Sequence, residues 1–214
     1  MANANNPKGA IPYQRIDGAV WRDSQTVYFV PAANTNALNI GDFVTKVAAS
    51  ADTGGINAID LTVAGTNPIT GVVVGFVGTC APGAGLAAAS FWPLGTSGGQ
   101  MHRPATTSLD YYALVNDDPE TVFAIQENDD YGGVPGTPVP VAAVGKNFAF
   151  IHAAGSVYGF SGTMLDANTV GTGATQQLNL KGFVNDVGNV AGAVFAKCIV
   201  TINNHTETPH EAGI

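Results

Sequence analysis

The residues best suited to chemistry in this sequence are acidic side chains clustered in its middle. Between Arg103 and Lys146 the chain has no lysine or arginine but seven carboxylates: Asp110, Asp117, Asp118, Glu120, Glu127, Asp129 and Asp130. Several carboxylates on adjacent turns could supply oxygen ligands to Ca²⁺, and a pair of carboxylates could hydrolyse a glycosidic bond. Their spacing matches no loop signature such as the EF-hand. The cluster therefore predicts charged turn and loop tips, with recognition of a basic partner surface as the functional alternative.

Other motifs that could carry chemistry are incomplete. GFSGT at 159–163 lacks the full G-x-S-x-G pattern of a nucleophile elbow, and the strand-to-helix context is missing. His205 and His210 have a spacing that could bind a metal ion, but the only further ligands nearby are Glu207 and Glu211, so we predict a solvated tail. The sequence therefore predicts no catalytic, cofactor-binding or metal-binding residues, and no enzyme.

Composition and charge narrow the choice of partners. Charged residues make up only 11% of the 214 residues, hydrophobic residues make up 45%, and the net charge is −8. Eight basic residues spread over the chain cannot build a phosphate-binding patch, so we predict no nucleic acid partner and no anionic membrane partner. A low charge density with abundant apolar area favours a surface covered in an assembly, with a polar monomer as the alternative.

Targeting and redox signals are weak. MANANNPKGA at 1–10 lacks the charged start and apolar core of a secretory signal. Residues 61–102 contain no Asp, Glu, Lys or Arg, but prolines and glycines interrupt them throughout, which favours buried strands over a membrane span. We expect Cys80 and Cys198 to be free buried thiols, and a disulfide between them is the alternative.

The stretch that organises the fold is YYALVNDDPETVFAIQEN at 111–128. Two short apolar runs flank NDDPE, in which Asn116 and Asp117 can bond their own backbone and Pro119 suits a turn. Both faces of each run are largely apolar, as in strands buried within a sandwich or barrel. The pattern predicts a hairpin at the centre of the protein.

The rest of the chain predicts many short strands joined by turns and almost no helix. A single helical turn is possible near LAAAS at 86–90, and 128–140 reads as a long exposed loop. We predict a mainly β fold, an antiparallel β-barrel or sandwich with long loops. Residues 1–20 form an extended N-terminal arm, disordered or laid on a neighbour, 21–205 a single β domain, and 206–214 a polar C-terminal tail. The predicted strands are 25–30, 43–48, 59–63, 69–77, 144–151, 159–165, 177–184 and 195–203.

Several phrases of this sequence resemble a family of structural proteins. They are FWPLGT at 91–96, ALVNDDPETVFAIQEN at 113–128, VGKN at 144–147, GFSGTMLD at 159–166 and VTINNH at 200–205. Together they resemble the decoration, cement or auxiliary head proteins of tailed bacteriophages, over roughly residues 70 to 205. The resemblance is a pattern of turns and strands rather than an active-site motif.

The resemblance implies a virion protein made in the host bacterial cytoplasm. It would bind the outer surface of an icosahedral phage capsid and bridge subunits of the major capsid protein, as a homo-oligomer, with a trimer favoured over a dimer. The alternative is a host-surface or glycan-binding head or fibre module, in which the loop around Tyr131 makes contact. The candidate partner contacts are Asn5, Pro7, Ile11, Tyr13, Arg15, Trp21, Asp117, Asp118, Glu120 and Tyr131.

Overall fold

A computed structural model describes residues 3–20, 24–91, 101–156, 158–208 and 213. The strands are β1 (Ile11–Arg15), β2 (Thr26–Val30), β3 (Leu38–Asn39), β4 (Phe43–Ala51), β5 (Asn57–Leu61), β6 (Gly71–Cys80), β7 (Ser90–Phe91), β8 (His102–Arg103), β9 (Asp110–Asn116), β10 (Thr121–Gln126), β11 (Asn147–Ile151), β12 (Met164–Gly171), β13 (Leu178–Phe183) and β14 (Lys197–Ile202). Three 3₁₀ turns, Leu86–Ala88, Tyr131–Gly133 and Val141–Ala143, are the helical elements of these residues. The prediction of a mainly β fold is confirmed.

Five strands close into a small barrel. They pair in the order β4-β5-β2-β9-β6, and β6 pairs back with β4, which completes the ring. Every pair in it is antiparallel except β2 with β5. The interior is filled by alternate residues of these strands, among them Tyr28, Val44, Val73 and Tyr111. The barrel follows from strands that are apolar on both faces, because the inner faces must be buried together.

A six-stranded antiparallel sheet forms the second layer, in the order β1-β10-β14-β13-β11-β12. Its inner face packs against the outside of the barrel: Phe43 of β4 and Phe150 of β11 have ring centroids 4.8 Å apart. Val72 of β6 joins this cluster, while its neighbour Val73 faces the barrel interior. Successive side chains of β6 therefore pack into two different cores, because neighbouring side chains of a strand point to opposite faces.

The predicted central hairpin is wrong. β9 pairs with β2 and β6 in the barrel, whereas β10 pairs with β1 and β14 in the sheet. The predicted turn does form, since the Asp118 N–H donates to Asn116 Oδ1 (3.3 Å) and the Thr121 N–H to the Asp118 carbonyl (3.0 Å). This turn carries the chain from one layer to the other. Both faces of each strand are buried, and strands distant in sequence can cover them as well as a neighbouring strand can. The apolar pattern therefore could not show whether β9 and β10 pair with each other.

The other predicted strands differ mainly at their ends. The prediction at 159–165 is wrong, because the strand β12 begins only at Met164 and continues to Gly171. The helical turn predicted at 86–90 is present as Leu86–Ala88. The sequence pattern missed the short strands β3, β7 and β8, which have two residues each, too few to show alternation.

The sequence left two alternatives for the N-terminal arm, disordered or laid on a neighbour, whereas residues 3–20 are ordered on their own chain. β1 adds to the edge of the sheet beside β10, and Ala10 is buried in the core between the layers. Gly9 has a φ of +72°, and a Cβ there would lie 2.4 Å from the Gly41 carbonyl oxygen. The segment can approach the barrel this closely only because residue 9 has no side chain.

Both cysteines are buried free thiols, as predicted. Cys198 lies in the core between the layers, and burial raises the pKa of its thiol. The predicted solvated character of the tail is wrong for His205, which is buried, while His210 lies outside the described residues. His205 Nδ1 accepts a hydrogen bond from the Glu207 N–H (3.0 Å).

Burial of His205 predicts a loss of stability in mild acid. Burial lowers the pKa of its imidazole, against a smaller opposing effect of the Glu207 carboxylate. Since the unfolded chain with its pKa of about 6.5 then binds protons more readily, this stability is present above about pH 6.5 and is lost as the pH falls toward the folded pKa. The slope within that window reaches at most about 1.4 kcal/mol per pH unit.

We expect His205→Asn, whose side-chain oxygen can still accept from Glu207, to remove that dependence. Urea unfolding of both proteins between pH 7.5 and pH 5, roughly the range in which histidine titrates, measures it. His102→Asn controls for changing a histidine elsewhere. An unchanged slope in His205→Asn would contradict the assignment.

Candidate partner-binding surface

Among the described residues, four exposed apolar side chains lie close together in sequence, in β1 and just after it. Ile11 is 42% exposed, Tyr13 40%, Ile16 58% and Val20 78%. We call these four side chains the N-terminal surface. Ile11 pairs with Ala124 of β10, and Tyr13 lies at a bulge of the edge strand, between Pro12, which pairs with Phe123, and Gln14, which pairs with Val122. Exposed apolar side chains grouped in this way are typical of interaction sites.

The free edge of β1 is protected against further strand pairing. Pro12 has no N–H to donate, and the chain turns back after Arg15 so that Val20 forms a bridge with Gln14. The Arg15 N–H donates to the Ala19 carbonyl (2.9 Å) within this turn. A partner would therefore contact the side chains of the N-terminal surface rather than extend the sheet.

Arg15 joins the N-terminal segment to the acidic turn between β9 and β10. Its Nη1 lies 2.7 Å from Asp118 Oδ2, and its Nη2 pairs with Glu120 Oε2. The acidic turn that the sequence predicts is present, but the sequence did not predict that Arg15, about 100 positions away, pairs with two of its carboxylates. Such pairs at a partly exposed site add at most about 1 kcal/mol each.

Asp117, the other acidic candidate in this turn, is held by the barrel. Its carboxylate accepts hydrogen bonds from the Tyr28 hydroxyl (2.9 Å) and the Thr26 hydroxyl (3.1 Å) of β2. Burial and then Asp117 raise the pKa of Tyr28, so the phenol stays protonated and donates. Because each of its carboxylate oxygens accepts a hydrogen bond from β2, Asp117 stabilises the β2–β9 end of the barrel more than it contributes to a free charged surface.

Two further members of the acidic cluster, Asp110 and Glu127, are buried. The prediction of charged turn and loop tips is wrong for these two residues. Asp110 accepts the N–H groups of Ala32 (2.8 Å) and Gly83 (3.0 Å), which ties two loops to β9. Glu127 is fully buried and accepts the N–H groups of Asp129 (2.8 Å) and Ala196 (3.3 Å). Burial raises the pKa of Glu127. These carboxylates replace missing backbone partners in the loops.

The serine of GFSGT belongs to a structural junction. Ser161 is fully buried and its hydroxyl donates to Asp42 Oδ1 (2.5 Å), and His152 Nδ1 lies 3.6 Å from the same oxygen. In a catalytic triad the histidine stands between the serine and the carboxylate. Here the serine and the histidine both face the carboxylate directly. The arrangement links the loop before β4 to the loop before β12, next to the N-terminal segment.

Residues 3–6 are fastened by two amide side chains. Asn3 Nδ2 donates to the carbonyls of Val190 (3.2 Å) and Val194 (3.0 Å), and Asn3 Oδ1 accepts the Val190 N–H (2.8 Å). Gln126 Oε1 accepts the Asn6 N–H (3.0 Å), and Gln126 Nε2 donates to Asn5 Oδ1 (2.9 Å). These bonds hold the segment across the end of β10.

A cavity of about 360 Å³ lies beside this fastened segment. We call it the strap cavity; it is lined by residues within 3–11, by 124–126 of β10 and by residues within 184–197. Its lining includes the partly exposed apolar residues Ile11 and Phe195 and the basic residues Lys8 and Lys197. No signal in the sequence could have placed these segments around one cavity, since they come from both ends of the chain.

The structure separates the remaining candidates. Ile11, Tyr13, Arg15, Asp118 and Glu120 belong to one edge of the sheet. Asn5 is exposed and Pro7 half-buried in the fastened segment, and Trp21 lies outside the described residues. Tyr131 is half-buried against the core between the layers, and its 3₁₀ turn packs on β12, the opposite edge strand. Tyr131 therefore does not provide the exposed aromatic contact that the glycan-binding alternative predicts.

Neither a metal site in the described residues nor a matching known protein assigns a function to this surface. Among the described residues, no three His, Cys, Asp or Glu side chains are grouped so that they could hold a metal ion. In the same part of the chain no helix is long and apolar enough to cross a membrane. No protein-family model, curated protein or solved structure matches the chain.

Proposed function

We propose that this chain is a structural virion protein that binds the outer surface of an icosahedral phage capsid and bridges major capsid protein subunits. The observation that carries the proposal is the N-terminal surface, where Ile11 and Tyr13 on the edge strand β1 and Ile16 and Val20 just after it expose apolar area. Apolar and aromatic side chains of this kind provide much of the binding energy in protein interfaces. The resemblance of the sequence to phage decoration proteins supports the same conclusion.

The physical requirements of such a role agree with the fold. A shell under pressure from packaged DNA gains strength when an outer protein buries area across the joints between its subunits. A homo-oligomer, a trimer with a dimer as alternative, would grip several subunits at once and gain avidity from weak single contacts. A two-layer β body with a protected edge can supply a rigid platform for those contacts without pairing edge to edge.

The direct test is electron microscopy of capsids with and without the protein. We expect regular extra density on the outside of the decorated heads, and greater resistance of those heads to heat. Heads without added density would overturn the proposal. Binding of the isolated protein to host cells but not to heads would favour the host-surface or glycan-binding alternative.

The double variant Ile11→Ser/Tyr13→Ser is expected to lower the affinity for capsids by roughly tenfold or more, because each substitution removes apolar contact area at the proposed interface. Titration of purified heads with each protein measures this loss. Val63→Ser, which changes an exposed apolar residue outside the N-terminal surface, is the matched control. Equal affinity of the double variant and the control would contradict the placement of the interface. Point changes are preferable to deleting residues 1–20, because that deletion also removes β1 and uncovers β10.

A further inference from the structure

The strap cavity is preformed, because amide side chains fasten each of its walls. Asn3 and Gln126 hold the N-terminal wall, as described above. Asn189 holds the opposite wall: its Nδ2 donates to the Val184 carbonyl (2.7 Å), and its Oδ1 accepts the Lys197 N–H (2.8 Å). A cavity whose walls are already ordered costs little conformational entropy when a ligand enters. Its volume of about 360 Å³ falls within the range of ligand pockets, roughly 300–1,000 Å³.

The charge around this cavity is opposite to that of the protein as a whole. Two of the eight basic residues, Lys8 and Lys197, belong to its lining, and none of the lining residues is acidic. Within the described ranges neither ammonium group lies within 4.0 Å of a carboxylate. The Lys8 ammonium lies 5.7 Å from the centre of the Phe160 ring. This ring carries no net charge, so the contact does not neutralise the lysine.

We infer that the strap cavity binds a short acidic peptide segment of a partner protein. An apolar side chain of the segment would contact Ile11 and Phe195, and its carboxylates would pair with Lys8 and Lys197. Asn3, Gln126 and Asn189 direct their amides to the protein's own backbone, so the two lysines supply the charge that selects the ligand. The inference goes beyond capsid binding and does not depend on which protein carries the segment.

The test is a titration of the full-length ¹⁵N-labelled protein, followed by NMR, with the peptide acetyl-Leu-Asp-Leu-Glu-amide. We expect saturable shifts of the backbone amides of Ala124, Val184 and Lys197, with a Kd on the order of 1 mM for so few contacts. The neutral analogue acetyl-Leu-Asn-Leu-Gln-amide should bind roughly tenfold more weakly or not at all, because both ion pairs are lost. Shifts that do not saturate, or equal binding of the two peptides, would overturn the inference.

Variants of the lysines provide a second measurement. Lys8→Gln and Lys197→Gln should each raise the Kd roughly two- to fivefold, the effect of losing one exposed ion pair. Lys181→Gln, a change of an exposed lysine on β13 outside the cavity lining, should leave the Kd unchanged. Equal Kd values in all three variants would contradict the site, and binding of N-acetylneuraminic acid in place of the peptide would reassign it to acidic glycans. Capsid occupancy is measured separately, so either proposal can fail alone.

Discussion

Replacing Arg103 by methionine is expected to lower the free energy of unfolding by about 5 kcal/mol, the largest effect we predict for a single residue. Arg103 is fully buried, and its guanidinium donates to the carbonyls of Asn34 (2.6 Å), Asn36 (2.5 Å) and Pro31 (3.1 Å). It also lies over the ring of Tyr111, with Cζ 5.9 Å from the ring centre. Methionine fills part of the volume but removes the donors to the Asn34 and Asn36 carbonyls, while the Pro31 carbonyl keeps the Asn34 N–H (3.0 Å).

The loss follows from the role of Arg103 in the loop after β2. Residues 31–36 turn between β2 and β3 with few backbone partners of their own, and the planar guanidinium replaces them. Burial lowers the pKa of Arg103, yet an arginine retains its proton in proteins, so its two Nη groups continue to donate. Urea unfolding at pH 7.5, near neutrality, where arginine is charged, measures the change.

Arg15→Met is the matched control for this experiment. Arg15 pairs with Asp118 and Glu120 at a partly exposed site, so its replacement should cost at most about 2 kcal/mol, about 1 kcal/mol for each pair. Similar losses in the two variants would show that Arg103 does not organise the loop. If Arg103→Met fails to fold, Arg103→Lys, which keeps the charge but loses the planar fork, should retain a measurable part of the stability.

Gly71→Ala is expected to destabilise the protein by about 3 kcal/mol, because a Cβ at this position has no room. It would lie 2.2 Å from the Asn116 carbonyl oxygen and 2.7 Å from Val115 Cγ1. Gly71 pairs with Val44 of β4 at the place where β6 closes the barrel, so the surrounding backbone cannot shift without opening the ring. Thermal unfolding followed by circular dichroism measures the loss.

Gly75→Ala is the control on the same strand. The atom nearest to a Cβ there is Leu114 Cδ1 at 3.6 Å, an ordinary contact distance, so the change should alter stability by less than about 1 kcal/mol. A melting temperature of Gly71→Ala close to that of Gly75→Ala would contradict the close packing of β6 against β9 and β4.

The sequence alone was sufficient for the fold class because the evidence for strands is local. Alternating and doubly apolar runs, turn residues and the lack of long helical patterns predicted strands such as Thr26–Val30 and Thr121–Gln126. It also predicted that both faces of the strands around NDDPE are buried. The turn was correct for the same reason, since Asn116 bonds its own backbone two residues along.

The candidate site could be predicted only in part. Ile11, Tyr13 and Arg15 were identified as contact candidates, and the structure places them on one exposed strand with Asp118 and Glu120 paired to Arg15. The strap cavity could not be predicted, because its walls come from residues 3–11, 124–126 and 184–197. Hydrophobic periodicity carries no information about which distant segments meet.

By itself, the sequence determined that this protein is built from short strands, that its acidic residues match no calcium loop, and that its few charges leave much apolar surface. Only the tertiary structure decided that β9 and β10 belong to different layers, that Asp110 and Glu127 are buried, and that Arg15 pairs with two carboxylates of the acidic turn. The physical reason is that alternation and turn formation depend on neighbours in sequence. Sheet pairing, burial of a carboxylate and the placing of a counter-charge depend on segments that folding brings together from distant parts of the chain.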